Sequence, residues 1–461
     1  MAGIGFKLAK MARDGGVSGV VGAAAYGAMI SAGPWLVTVI ATLALAQWMP
    51  GRIAPDAIAM VQTVLIYGFS LSALMAAPIS LLTVRLVADR LYAGADDHIP
   101  GLLMAALAGG GLLAFAAGSV VFGFLAGLSL GQALLATLLL TWLTQIWIVS
   151  PLLTAIHRYR MVMLAYGMGV VVAALLIGRS PDRILAALAA GVAVTLIALL
   201  LTLRHHFRDA PVFGMADLPD PKRAVLLVLT GCASAGAMWI DKMLLWNAPG
   251  SVATLGALRL NPINDYGSFL GILTIIPGLT LILIAAETRF DKAFGDMIAR
   301  CTGTSTMERI EQAREQVMRV ILGDFRLLLL VQSLIAALAW VFAVPLFDAL
   351  GGNVAGIFAF RHTALGVLFH LIAIQMTVIL SYYDLFGRIL LIWGSFLMAS
   401  AAAVLIDWDL GFAAFGRGYM VGAVTAAAVG LAVVLQSTSQ LTYLLFVGNN
   451  PAIIGARGRW F

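Results

Sequence analysis

Charge is what this sequence has least of. Asp, Glu, Lys and Arg make up 11% of its 461 residues, and long stretches hold none of them. The charge-free windows are 15–51, 57–84, 101–156, 161–178, 184–203, 224–240, 266–286, 327–347, 362–383, 389–406 and 418–456. Such runs cannot coat a protein that lives in water. Each suits a membrane helix, which needs about 20 apolar residues. Window 101–156 accommodates two, with a polar, Gly-containing turn near Ser129–Gln132. The expected count is therefore twelve transmembrane helices. The runs are continuous rather than alternating, which excludes a membrane barrel. Mean hydropathy is +1.00 and 62% of residues are hydrophobic, in keeping with that reading.

Cysteine is nearly missing too. Cys232 lies in an apolar window and Cys301 in a charged stretch, so no disulfide pair and no metal-ligand spacing is expected. There is no GxxxxGK phosphate loop, which excludes a subunit with its own ATPase motor. No carboxylates or histidines cluster at the membrane midplane. A lipid-linked sugar transferase would need charged groups gathered in a sizeable loop. The one candidate is 289–325, whose charges are spaced like helix-surface pairs. No catalytic residue, metal or cofactor is assigned. The first apolar run is too long for a signal-peptide core and lacks a small-residue cleavage signature, so it is expected to be kept.

The net charge of +6 reads as topology rather than as nucleic-acid binding. With the N-terminus cytoplasmic, 21 Lys and Arg residues fall in inner loops and tails. Six fall outside: Arg52, Arg179, Arg183, Arg259, Arg361 and Arg417. Lys242 alone lies within or beside a span. This bias is the positive-inside pattern, and it requires an even number of spans. Both termini are then cytoplasmic.

The outer loops are too short to hold a domain. Two inner loops are substantial, 204–223 and 289–325. Asp217, Pro219, Asp220 and Pro221 make the first a turn-rich linker. It divides the chain into an N-terminal six-helix lobe at 1–203 and a C-terminal lobe at 224–461. Ser31-Ala32-Gly33-Pro34-Trp35 is echoed by Ser234-Ala235-Gly236-Ala237-Met238-Trp239. Both run inside to outside, as a parallel repeat requires, although small residues are common in membrane helices. In 289–325 a helix is expected over 305–322, with Ser305 and Glu308 as a capping box. Ile310, Val317 and Ile321 share a face, and Glu315 and Arg319 have i,i+4 spacing. This helix is either a solvated connector on the membrane surface or a docking site for a cytoplasmic partner. Glu308, Glu311, Arg314 and Arg319 are the docking candidates. Residues 1–13 are basic and weakly amphipathic, as an interfacial anchor would be.

Few residues can carry function. Gly33 and Pro34 form a hinge candidate, because proline breaks the hydrogen-bond ladder of its helix. Pro78 is a second kink candidate. Asp241 lies about 27 Å along its helix from Arg223 at about 1.5 Å per residue. Three readings stay open for Asp241 and Lys242: snorkelling to the outer interface, facing a water-filled cleft, or a structural pair. His370, with Gln375 nearby, is either a satisfied interhelical hydrogen-bonding group or a proton carrier. Arg85 with Asp89, and Asp384 with Arg388, flank inner helix ends and are inner-gate candidates. Tyr26, Ser31, Trp35, Trp147 and Trp239 are substrate-path candidates together with Asp241 and His370. The aromatics are either interfacial belt residues or platforms for sugar rings. A carrier of pyrophosphate-linked glycans would need Lys or Arg in its cavity. A cation-coupled drug exporter would need Asp or Glu near the midplane. The inventory suits a neutral polar substrate such as a glycan best.

Met1-Ala2-Gly3-Ile4-Gly5-Phe6-Lys7-Leu8, then Ala25-Tyr26 and Ser31-Ala32-Gly33-Pro34-Trp35, resemble the opening of the Pel exopolysaccharide transporter family (PelG). Asp89-Arg90-Leu91-Tyr92, Ala286-Glu287-Thr288-Arg289-Phe290 and Tyr382-Tyr383-Asp384 extend the resemblance in order along most of the chain. The tail at 447–461 matches nothing in that pattern and is given no role. The resemblance implies an all-α polytopic membrane protein of the multidrug/oligosaccharidyl-lipid/polysaccharide flippase superfamily. Its twelve helices would form two six-helix, MATE-like lobes around a central cleft. It implies a bacterial inner-membrane subunit that passes an N-acetylgalactosamine-rich polymer to the periplasm. A cytoplasmic glycosyltransferase and other membrane subunits of the synthase would be its partners, with lipid around it and no nucleic acid. The alternatives are a MATE-like cation-coupled exporter of small molecules, and a scaffold that holds a synthase without transporting.

Overall fold

A computed structural model describes Leu45 and residues 48–94, 96–156, 158–208 and 220–448. The candidates Tyr26, Ser31, Gly33, Pro34 and Trp35 lie outside the described residues, as does the 447–461 tail beyond Gly448. Among the described residues the chain is almost wholly helical. In lipid, a backbone can satisfy its N–H and C=O groups only within a helix or a closed barrel, so apolar runs of this length have little alternative.

The helices are α1 (Pro55–Ala93), α2 (Ile99–Gly118), α3 (Leu130–Ala155), α4 (Tyr159–Leu176), α5 (Pro181–His206) and α6 (Pro221–Leu245). Next come α7 (Pro262–Ile272), α8 (Ile276–Ala285) and α9 (Asp291–Thr302), joined by a 3₁₀ turn at Leu273–Ile275 and a π turn at Ala286–Phe290. Then follow α10 (Met307–Leu350), α11 (Gly356–Tyr382), α12 (Phe386–Ile406) and α13 (Arg417–Ser439). Ten helices among the described residues are long and apolar enough to cross a membrane, and Arg160–Leu176 is a shorter apolar helix. Window 15–51 lies largely outside the described residues, so this tally agrees with twelve spans.

Window 101–156 does divide in two. A π turn at Ser119–Leu125 ends the first helix, and Ser129 caps α3 by accepting from the Gln132 N–H. Ser180 and Thr306 cap α5 and α10 in the same way. Such side-chain acceptors satisfy amide groups that a helix start leaves open. Gly94 and Gly351 close α1 and α10 in the left-handed conformation that glycine adopts without strain. Within the spans, Thr63, Thr83, Thr141, Thr144 and Thr280 each donate to the carbonyl four residues earlier. Their hydroxyls are therefore satisfied without a partner helix.

The described residues form two compact units. The first comprises 45–239 and 250–261, and the second comprises 240–249 and 262–448. In the first unit, α1 runs on through Pro78. Gly231 of α6 lies against that proline so closely that a Cβ would come within 2.5 Å of Pro78 Cα. The loop 250–261 makes an antiparallel hairpin, Val252–Leu255 with Leu258–Leu260. Tyr67 holds it, its hydroxyl donating to Arg259 O at 2.9 Å.

In the second unit the segment 289–325, expected as a loop containing one helix, is helical apart from the short connection at 303–306. Helix α10 starts at Met307 and continues without a break to Leu350, 44 residues. The separate helix expected over 305–322 is its first half, and Thr306 rather than Ser305 is its cap. Nothing between 322 and 344 breaks a helix apart from Gly323, which a helix tolerates at modest cost. Ile310, Val317 and Ile321 are buried together, as their spacing predicts. At about 1.5 Å per residue α10 is about 66 Å long, more than twice a hydrocarbon core of about 30 Å. Its charged half and α9 pack into a hairpin, in which Arg300 donates to Arg309 O at 3.0 Å.

Candidate functional site

A buried polar cluster lies in the second unit. It begins at the end of α6, where Asp241 is 0% and Lys242 7% exposed. Neighbouring residues on a helix do not normally face each other. Here the long lysine chain turns back, and its Nζ donates to Asp241 Oδ1 at 3.1 Å and Oδ2 at 3.2 Å. The ammonium also lies 5.1 Å from the centre of the Tyr419 ring on α13. A cation over an aromatic face is attracted by the ring quadrupole, more strongly when water is excluded. Gly418, beside Tyr419, gives room for this: a Cβ there would meet Val404 at 2.3 Å and the Asp241 Cβ at 3.4 Å.

Tyr419 carries the cluster across to α11. Its hydroxyl and His370 Nδ1 are hydrogen-bonded at 2.5 Å. Trp393 and Phe396 of α12 stand edge-on to the imidazole, with centroids at 5.5 and 5.3 Å. The packing of α11, α12 and α13 thus brings one histidine, one tyrosine and one ion pair together. Ser400 of α12 is fully buried, and its hydroxyl finds no partner among the described residues. Gln375 Oε1 is in the same state.

The other sequence candidates are dispersed. Trp147 and Trp239 are half-buried in the first unit, and Trp147 Nε1 is buried without a partner among the described residues. Neither lines a cavity that lies among α1, α3, α4 and α5 of that unit. This cavity, about 410 Å³, is bounded by Trp48, Phe69 and Tyr166 together with aliphatic side chains, Gly169, Gly191 and Thr195. Arg85 pairs with Asp89 at 3.3 Å, and Arg223 of α6 adds a second contact to Asp89 at 3.2 Å. Asp384 takes a left-handed φ of 59°, which short polar residues tolerate, and it sharpens the turn before α12. Arg388 donates to Ser437 Oγ of α13.

The four docking candidates fall into two pairs. Glu311 accepts from Arg314 Nε at 2.6 Å and from Thr442 Oγ1 at 3.2 Å, which ties α10 to the chain after α13. That arginine holds the Glu311 carboxyl below its usual range. Glu308 and Arg319 are exposed. Glu308 accepts from Gln312 at 3.5 Å, and Arg319 donates to Gln316 at 3.1 Å, the contact expected of Glu315.

Two groups escaped sequence reasoning. One is the polar start of α7, where Trp246 Nε1 donates to Asp265 at 3.0 Å and Ser268 links Asn264 to Thr363 of α11. The run Asn261-Pro262-Ile263-Asn264-Asp265 just ahead of an apolar window is a signal that could have found it. The other is the buried Asp324 on α10, paired with Arg289 at 2.6 Å. These two are 35 positions apart, and no local pattern links them.

The fold is similar to that of solved transporters of the MOP superfamily. An outward-facing multidrug resistance MATE transporter of that superfamily superimposes with TM-score 0.64 at 16% identity, over 91% of this chain and 95% of that one. MATE in the straight conformation gives 0.63 at 15% identity, over 90% and 95%. A MOP superfamily transporter from Pyrococcus furiosus, described as having a binding pocket of reverse polarity, gives 0.60 at 15%, over 90% and 95%. At these identities the likeness is one of fold. No curated protein matches the chain. The chain belongs to the PelG family, described as "Putative exopolysaccharide Exporter (EPS-E)", which it matches over residues 1–446. It is a multi-pass membrane transporter and not an enzyme.

Proposed function

We propose that this transporter moves an (N-acetyl)hexosamine-rich, Pel-like exopolysaccharide from cytoplasm to periplasm, drawing it from a cytoplasmic glycosyltransferase. The observation that carries this reading is the closure of the Asp241–Lys242 pair. Two opposite charges bonded at 3.1 Å and shut off from solvent offer nothing to a pyrophosphate head group or a cationic drug. A neutral glycan asks for aromatic faces and hydroxyls instead. The cavity edged by Trp48, Phe69 and Tyr166 suits that chemistry.

The same reading puts the protein in a bacterial inner membrane with both termini cytoplasmic, supported by the 21-to-6 bias of Lys and Arg. It divides the chain into lobes at 204–223. It assigns the α9–α10 hairpin, with Glu308 and Arg319 on its open side, to the synthase and its membrane subunits.

The test is polymer export into sealed vesicles carrying the purified synthase complex and fed a nucleotide sugar. Polymer should appear in the lumen only when this chain is present. No luminal polymer in such vesicles would end the proposal. The buried Asp241 also allows a self-contained, cation-coupled exporter. That reading predicts a proton- or sodium-driven flux without any synthase, lost in Asp241→Asn.

A further inference from the structure

The first unit carries a groove that the transport reading leaves unused. It opens between the start of α2 and the end of α5, two helices that both pack on α3. Pro100, Met104, Ile197, Leu201, Arg204 and Phe207 border a space of about 270 Å³. Its walls are apolar and turned outward: Ile197 is 54% and Leu201 65% exposed. An open apolar groove on a membrane helix bundle is filled by an acyl chain rather than by water.

One end of the groove is basic. Arg204 Nη1 donates to Phe207 O at 3.0 Å, which anchors the guanidinium there. The Phe207 ring meets His206 edge-on with centroids 4.8 Å apart, and His206 Nδ1 is 3.4 Å from Arg158 Nη2. Exposed His205 and Arg208 flank the same turn. This is the face that carries the excess of Lys and Arg. Basic side chains at that boundary attract anionic headgroups by about 1 kcal/mol each, and basic pockets between helices there are a recognised kind of lipid site.

We propose that this groove binds an anionic phospholipid, with one acyl chain along Ile197 and Leu201 and the phosphate at Arg204 and Arg158. Charge complementarity selects this occupant over a zwitterionic lipid. The apolar walls select it over a free phosphate.

Native mass spectrometry of the full chain with equimolar phosphatidylglycerol and phosphatidylcholine tests the site. The wild type should retain phosphatidylglycerol preferentially. Arg204→Gln should lower that retention about 5-fold, the equivalent of about 1 kcal/mol, while Arg204→Lys should largely keep it. Leu201→Trp leaves the charges in place but fills the groove, and it should lower retention as well. This position faces outward, so the variant remains informative should Arg204→Gln fold poorly. Equal retention of the two lipids by the wild type would overturn the proposal. So would unchanged retention in the Arg158→Gln/Arg204→Gln protein, or displacement of the lipid by inorganic phosphate.

Discussion

Lys242→Met should lower the stability of the protein sharply. The substitution strands the Asp241 carboxylate, 0% exposed, without the ammonium 3.1 Å away. Breaking a buried pair from one side costs about 3–5 kcal/mol, since the remaining charge keeps its desolvation penalty and loses its compensation. That is a large share of the about 5–15 kcal/mol that separates a typical folded protein from its unfolded chain. Thermal unfolding of the detergent-purified protein, followed by tryptophan fluorescence, would read the loss. The double variant Asp241→Asn/Lys242→Met removes both charges and should recover most of it. A Lys242→Met protein as stable as wild type would show that the pair contributes nothing. The double variant also bears on function. It should keep polymer export if the pair is part of the scaffold, as a neutral substrate requires. A double variant that folds normally yet exports nothing would put charge back into the transport step and favour cation coupling.

Gly169→Ala and Gly191→Ala should each destabilise the first unit by about 1–3 kcal/mol, towards the upper end. The two glycines face each other where α4 crosses α5. A Cβ on Gly169 would lie 2.5 Å from Gly191 O and 2.0 Å from Thr195 Oγ1, and a Cβ on Gly191 would lie 2.5 Å from Gly169 O. The obstacle is backbone, so relief requires the helices to move apart. That would also cost the interhelical bond from Thr195 Oγ1 to Ala165 O at 3.4 Å. Small residues at such crossings are what let membrane helices pack without a hydrophobic driving force. Gly167, one turn-face away with nothing within 4 Å of its Cβ position, is the internal control. Gly167→Ala should be neutral or stabilising by up to about 1 kcal/mol, because alanine loses less backbone freedom in a helix. If all three variants unfold alike, the close crossing does not hold the unit together. Both glycines also line the cavity of about 410 Å³, so surviving protein should show altered export before any change in assembly.

Much of this architecture was legible along the chain because its signals are local. A charge-free window has to be a helix in lipid, whatever its neighbours do. The break at Ser129 showed in one polar residue ahead of an apolar run. The buried face of Ile310, Val317 and Ile321 showed in spacing alone. The continuity of α10 is not marked in the same local way, because a rise in charge density signals the end of the apolar stretch and not the end of the helix. The Glu315–Arg319 pair went to Gln316 because several acceptors lie within reach of one arginine on an exposed face.

The candidate site divides along the same line. Its residue types could be picked out singly, since Asp241, Lys242 and His370 are rare in such apolar surroundings. Their states could not. Whether Asp241 reached water, a cleft or its own neighbour depended on Tyr419, 178 positions later, placing an aromatic face over the ammonium. By itself the sequence determined that this is a polytopic helical membrane protein, how its Lys and Arg are distributed among the segments between apolar runs, and which few polar side chains it commits to those runs. Hydropathy and charge bias act residue by residue, and they need no partner. Only the tertiary structure decided that those charges are paired, that α4 and α5 touch at backbone distance, and that an outward-facing groove ends in a basic cluster. Those outcomes come from contacts between segments far apart in the chain, where geometry of a few tenths of an ångström settles what composition leaves open.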